Sequence, residues 1–292
     1  MRSRNHSPIT RAEAQQGARN DCTKGAPELL WHYTTFTGFI SIINEKRMRA
    51  THSSHLNDYT EGKPLGEFVR AVLRRLVEHG GSPTRMFTLK RLSESVAQYR
   101  AESFVICFSE AGDRLDNWRS YVRGPGVALG FSLESLARWS PFELGQIDYK
   151  PPDFLEREVE SHIEAWCEME ATEGLASPRH DQLFRELDYF LNRKGALLKH
   201  DAFHGELEWR LLLPQQGWGE PLKQGKMLFR AGPTGVVPYV MGPEFRGDAL
   251  RAVKLGPGSS ESLGSVRLLL TSHGFGEVMQ RITLSEVPWR AV

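Results

Sequence analysis

The segment GELEWRLLL, residues 205 to 213, sets Glu206, Glu208 and Arg210 at alternate positions. In an extended strand these three point to one face while Leu207, Trp209 and Leu211 point to the other, so one face can pack and the other can work. Carboxylates fixed in this way supply negative charge and hydrogen-bond acceptors to a reacting centre that becomes positive. The competing account is an amphipathic strand whose Glu and Arg side chains are solvated or paired across a sheet. His32 lies between Trp31 and Tyr33 in a second apolar strand, where it reads either as a ligand contact or as a satisfied core histidine. Tyr33 faces the other side of that strand and reads more readily as core. The stretch HLNDYTE places His55, Asn57, Asp58 and Glu61 where no periodicity requires them. Rigidly hung loops of this kind carry function, although an Asx-turn ahead of a helix explains the same residues. Trp118 and Tyr121, one helical turn apart, offer a stacking ring or ordinary core. Ser109, ending the run FVICFS, is placed to orient a glutamate from a neighbouring strand.

Other chemistries fit less well. His52 with His55, and His200 with His204, have spacings a metal can use, but neither pair carries the glutamate of HExxH or a nearby cysteine, so no metal is expected. No GxSxG elbow, Walker loop or GxGxxG after a strand is present, and GPGSS at Gly256 to Ser260 reads as a turn. The 3 cysteines, Cys22, Cys107 and Cys167, form no CxxC pair, which speaks against a disulfide framework. Cys107, between Ile106 and Phe108, reads as inert. Lys+Arg 37 against Asp+Glu 36 leaves no global field toward nucleic acid or an anionic membrane. The first residues never develop the apolar centre of a signal peptide, and no stretch approaches the roughly eighteen apolar residues of a membrane span. The expectation is a cytoplasmic protein without a membrane partner.

The elements that must position these residues follow from periodicity. A flexible tail is expected over 1–26, then a single domain over 27–292. LLWHYT reads as a buried strand, followed by a helix through Phe39, Ile40, Ile42 and Ile43 with Thr37 as N-cap. The polar stretch His52 to Lys63 reads as a loop, and Phe68, Val69, Val72, Leu73 and Leu76 mark an amphipathic helix. FVICFS and VALGF read as strands. Two helical segments, 154–171 and 181–199, form a helical insertion over about 151–200. Strand signals return in EWRLLL, KMLFR, AVKLG and RITLS, with the helix LGSVRLLLTSHG before the last. Strands at both ends with helices between predict an α+β domain around a split, mainly antiparallel sheet.

Taken together, WHYTTFTGFISIINEKRMRAT, HLNDYTE, CFSE, NWRSYVRGPGVALGF, DYK, GELEWRLLL, AVKLGPG and the closing LSEVPWR resemble, in kind and order, the family designated domain of unknown function 2971, over roughly residues 28–290. The opening strand and helix are similar to those of ADP-ribosyltransferases of the His-Tyr-Glu type, including those that modify DNA. The resemblance implies an ADP-ribosyltransferase-like fold with NAD in a cleft between two small sheets. His32, with Thr34 and Tyr33, would hold the ribose and amide of NAD, and an aromatic ring such as Trp118 or Tyr121 would stack on nicotinamide. Glu208 would be the catalytic late-strand glutamate, with Glu206 two residues earlier resembling the ExE arrangement of the arginine-modifying branch. Asn57, Asp58, Ser109 and Arg210 complete the expected cofactor site. The implied reaction moves ADP-ribose from NAD to a protein, RNA or DNA acceptor. Such activities serve as toxins or phage-defence effectors, sometimes with a neutralising partner. A non-catalytic sensor or interaction module of the same fold, and an NAD glycohydrolase, are the alternatives. His32 and Glu208, about 175 positions apart, must reach one pocket for the transferase to work, whereas a module should show Glu208 paired.

Overall fold

The computed structural model describes residues 26–56, 58, 63–96, 102–151, 153–174, 177–214, 226–232 and 235–289. The expected tail lies outside the described residues up to 25, as does Asn57. In chain order the main elements are β1 (Leu29–Thr35), α1 (Phe36–Glu45), β2 (Arg49–His52), α2 (Lys63–Glu78), α3 (Pro83–Ser95), β3 (Ser103–Ser109), β4 (Gly126–Ser132) and β5 (Glu143–Gln146). They continue with α4 (Asp153–Glu173), α5 (His180–Gly195), β6 (Glu208–Pro214), β7 (Leu228–Gly232), β8 (Gly235–Met241), β9 (Leu250–Leu255), α6 (Leu263–Ser272) and β10 (Ile282–Leu284). The result is a mixed α+β architecture with a mostly antiparallel open sheet and flanking helices.

The strand order is β10-β9-β4-β1-β3-β2-β8-β7, with β6 paired to β3 and β5 paired to β6. Only β10 and β9 run parallel among the named strand pairs. β1 pairs with β4 along its whole length, from Leu29↔Ser132 to Thr35↔Gly126, but meets β3 at the one position Trp31↔Ser109. The sheet therefore divides into a β10-β9-β4-β1 half and a half built on β3, joined at their corner.

Side-chain alternation gives the sheet its faces. Leu30, Phe104, Ile106, Phe108, Leu129, Phe131, Trp209, Leu211 and Val253 form one core with Phe39, Ile42 and Ile43 of α1 and with Val266 and Leu270 of α6. The α1 residues recur at three and four positions, so one helical stripe is buried, each such side chain contributing about 1.5–3 kcal/mol. Its N-cap is Thr35, whose hydroxyl accepts from the Gly38 N–H, rather than Thr37. The β1 strand runs straight into the helix, so the cap falls two residues earlier than the pattern suggested.

A second core belongs to α2, α3, α4 and α5, through Leu65, Val69, Leu73, Leu89, Leu92, Val159, Ile163, Trp166 and Leu191. The expected helical insertion over 151–200 is thus half of a four-helix unit whose other half is 63–95. Among the described residues no helix is long and apolar enough to cross a membrane.

Candidate functional site

Glu208 opens β6 in register with Ser109, which is itself in register with Trp31 of β1. The three strands thus meet in one row, which brings the strand of His32 within one intervening strand of Glu208. Leu207 sits in the left-handed region at φ 48, and the preceding residues form a tight 3-10 turn, Asp201–Glu206. This corrects the expectation that Glu206 shares a strand face with Glu208 by alternation. Alternation does place Glu208 and Arg210 together, and Glu206 returns to them from the turn.

The side chains there are almost closed to water. Arg210 Nε donates to Glu208 Oε1 at 2.7 Å and its terminal nitrogen Nη2 to Oε2 at 3.2 Å. Lys199 Nζ donates to Glu208 Oε2 at 2.9 Å and to Glu206 Oε2 at 2.6 Å. Tyr121 donates its hydroxyl to the same Glu206 oxygen at 2.5 Å. Side-chain exposure rises from 0% for Arg210 and Lys199 to 1% for Glu208 and 6% for Glu206, while Tyr121 is half-buried. The formal charges of the four ionised groups cancel.

Backbone geometry holds the cluster from three sides. Asp148 bridges to Leu198 in parallel, its N–H donating to the Leu197 carbonyl and its own carbonyl accepting from Lys199 N–H, which delivers Lys199 beside β6. Arg210 Nη1 donates to the Ala196 carbonyl at 2.7 Å, and the Tyr149 hydroxyl accepts from Glu208 N–H at 2.8 Å. Ser109 Oγ donates to the Glu206 carbonyl at 2.7 Å and accepts from Asn117 Nδ2 at 2.9 Å, which fixes the turn before Glu208.

Electrostatics follow from this packing. Burial alone pushes the Glu208 carboxyl up, but the Arg210 and Lys199 charges and their hydrogen bonds outweigh it and hold the pKa at about 2. Burial drives the Lys199 ammonium down, and the two glutamates more than reverse that, so its pKa is raised. Burial and then the glutamate charges push the Tyr121 hydroxyl well above its ordinary range. Burial and the Glu208 charge do the same to the Cys107 thiol, which agrees with an inert cysteine. Glu208 is therefore a permanent carboxylate, Lys199 a permanent cation, and neither serves as a proton donor or acceptor near neutral pH.

Several expected site residues lie elsewhere. Register parity puts Trp31 on the Glu208 face and His32 on the other, where its ring tilts against Phe108 with centroids 5.8 Å apart. The His32 ring also reaches into the gap between the diverging strands, with Nδ1 2.9 Å from the Cys107 carbonyl, and burial lowers its pKa. Parity therefore sets His32 and Glu208 on opposite sides of the strand row, with Cys107, whose thiol lies beside Glu208, between them. Thr34 is on the His32 side and its hydroxyl lies against Gly38, where a Cβ would meet it at 2.1 Å. Tyr33 is core: it is 7% exposed, donates to the Ala111 carbonyl at 2.6 Å and packs edge-on against Trp118. Trp118 is fully buried with its indole N–H on Asp113 Oδ1 at 2.9 Å, so it presents no ring to a ligand. Asp58 is buried at 4% exposure.

Tyr121, Glu206, Glu208, Arg210 and, through the main chain, Ser109 are the expected residues brought together. Lys199, Tyr149 and Asn117 were not singled out. A lone lysine in the otherwise apolar run ALLK and the tyrosine of DYK were the signals for the first two. One histidine of each pair is a local cap: His200 accepts from Ala202 N–H, and His52 from Ser54 N–H. Among the described residues no group of three or more His, Cys, Asp or Glu is placed to hold a metal ion. Comparison of the chain with protein-family models, with curated proteins and with solved structures finds no match.

Proposed function

We propose that this chain is an NAD-using ADP-ribosyltransferase-like protein, akin to domain of unknown function 2971, which transfers ADP-ribose to a macromolecular acceptor at the Glu208 end of β6. The observation that carries the reading is the convergence of the Glu208 and Glu206 carboxylates and the Tyr121 hydroxyl at the corner where the two sheet halves part. Cleaving the nicotinamide-ribose bond builds positive charge on the anomeric carbon, and a carboxylate that never protonates suits that charge. The reading rests on Glu208, Glu206 and Tyr121, and it requires that His32, now across the strand row, turn toward them when NAD binds.

A second reading has its own observation. Both oxygens of Glu208 are held by cations, so in this conformation it carries no uncompensated charge. That favours a non-catalytic sensor or interaction module. Incubating the protein with NAD labelled in its ADP-ribose moiety, alongside separate pools of protein, RNA and DNA, separates the two. The transferase labels one pool, and Glu208→Gln lowers the labelling at least about a hundredfold at a temperature where both proteins are folded. Nicotinamide release without label marks a glycohydrolase. No label and no release leaves the module.

A further inference from the structure

Lys199 is held differently from its neighbour Arg210. Arg210 spans both oxygens of Glu208 and a main-chain carbonyl at 0% exposure, which makes it a fixed strut. Lys199 Nζ instead sits between two carboxylates, 2.6 Å from one and 2.9 Å from the other, and 4.7 Å from the centroid of the Phe203 ring. Two acceptors and an aromatic face are what a binding site for a primary ammonium group provides. The site grades outward through Glu206 to half-buried Tyr121, so its outer wall approaches solvent.

Stability alone does not call for this second pair. The Glu208–Arg210 pair already neutralises the strand, and buried ion pairs are often matched or exceeded by apolar packing of the same volume. Nor can the carboxylates stabilise a cationic centre on a ligand while an ammonium touches both. Any group that uses them must take the place of Lys199.

We propose that the Glu206–Glu208 pair with Phe203 and Tyr121 is a receptor for a primary alkylammonium group, and that Lys199 is its internal, displaceable occupant. Removing the Lys199 side chain opens the receptor to an external cation of the same chemistry. The proposal concerns a cation site and its test uses no NAD, so it stands if the labelling experiment fails, whereas a fixed Lys199 would deny the carboxylates to both ligands.

The test is chemical rescue of Lys199→Ala, read by thermal melting at constant ionic strength in propylammonium, tetramethylammonium or sodium chloride. Tetramethylammonium has the charge without N–H donors. Propylammonium should raise the melting temperature of Lys199→Ala saturably, with half-effect in the millimolar range. Tetramethylammonium and sodium should not. Wild type should show no such rise, and Glu206→Gln added to Lys199→Ala should abolish it. No rescue, or equal rescue by tetramethylammonium, overturns the proposal and leaves Lys199 a fixed structural ion. Should Lys199→Ala be unfolded in plain buffer, the same salts are compared by the folded fraction they restore, and failure of propylammonium to restore it overturns the proposal equally.

Discussion

Glu170 in the helical core and Glu208 at the start of β6 are both carboxylates removed from water, and they are satisfied in contrasting ways. Glu170 accepts from Thr88 Oγ1 at 2.6 Å and from Trp166 Nε1 at 2.8 Å, and it pairs with Arg91, whose side chain remains 32% exposed. Two of these three partners are neutral donors, and the arginine keeps contact with water. Burial raises the Glu170 carboxyl and these hydrogen bonds bring it below its ordinary value. Glu208 instead relies on two cations with 0% side-chain exposure and shares one of them with a second carboxylate. Glu170 ties α3 to α4 and also meets His180 Nε2 of α5 at 3.3 Å. The Glu208 cluster holds twice the charges that a tie requires, and the surplus pair lies on its outer side.

The largest effect should come from breaking the inner pair. Arg210→Met leaves Glu208 buried with Lys199 as its remaining cationic partner, and loss of one partner of a buried pair costs about 3–5 kcal/mol. Denaturant melts should show a midpoint shift of that size. A shift below about 1 kcal/mol would mean that water reaches Glu208 and that the cluster is open.

Acid should separate the histidines from the carboxylates. Burial, with a smaller contribution from His55, lowers the His52 pKa to about 4, and burial lowers that of His32. The folded chain then binds fewer protons than the unfolded chain once the pH drops below the ordinary histidine value of 6.5, so stability is complete above that value and declines toward pH 4. His52 alone accounts for a loss of about 3 kcal/mol across that window. The contribution of Glu208 is complete above its unfolded value of 4.5 and disappears only as pH falls toward about 2. Chemical denaturation at stepped pH checks this: His52→Gln should flatten the curve between pH 6.5 and 4, and an unchanged slope would show that His52 is not buried neutral.

What was legible in the sequence follows the same division. Phe104 to Ser109 and Val127 to Phe131 announce central strands because both of their faces are buried. Glu208 and Arg210 were placed together by a period of two, which is a local property. β2 was not read as a strand, since Arg49 and Thr51 carry no apolar alternation and the strand exists because β3 and β8 pair with it on either side. α3 was missed because its buried positions, Thr88, Leu89 and Leu92, include a polar residue satisfied by Thr84 of its own helix and by the distant Glu170. Lys199 offered only the lone-lysine signal of ALLK for a related reason: the parallel bridge between Leu198 and Asp148, some 50 residues earlier, sets its place. The family resemblance directed attention to Glu208 and also to His32, and the parity of one strand pairing sets the two on opposite faces.

Glu170→Gln should cost about 1–2 kcal/mol, the scale of a weakened hydrogen-bond set whose arginine can turn to solvent. Thermal melts compare it directly with Arg210→Met, and equal losses would erase the distinction between a tie and a charged cluster.

The smallest effect is expected at Glu206. Its glutamine retains an acceptor for the Tyr121 hydroxyl and for Lys199, and Lys199 keeps Glu208 at 2.9 Å, so Lys199 is not stranded. The side chain lies at the outer, 6% exposed end of the cluster, where solvent can relax around the change. Glu206→Gln should therefore lower stability by less than about 1.5 kcal/mol, within the range of a single altered hydrogen bond, while abolishing propylammonium rescue in the Lys199→Ala background. The pairing of those two results is what distinguishes a receptor from a strut. If Glu206→Gln instead costs as much as Arg210→Met, the four charges form one rigid unit in which Lys199 cannot be exchanged, and Glu208 is then a structural carboxylate of the same kind as Glu170.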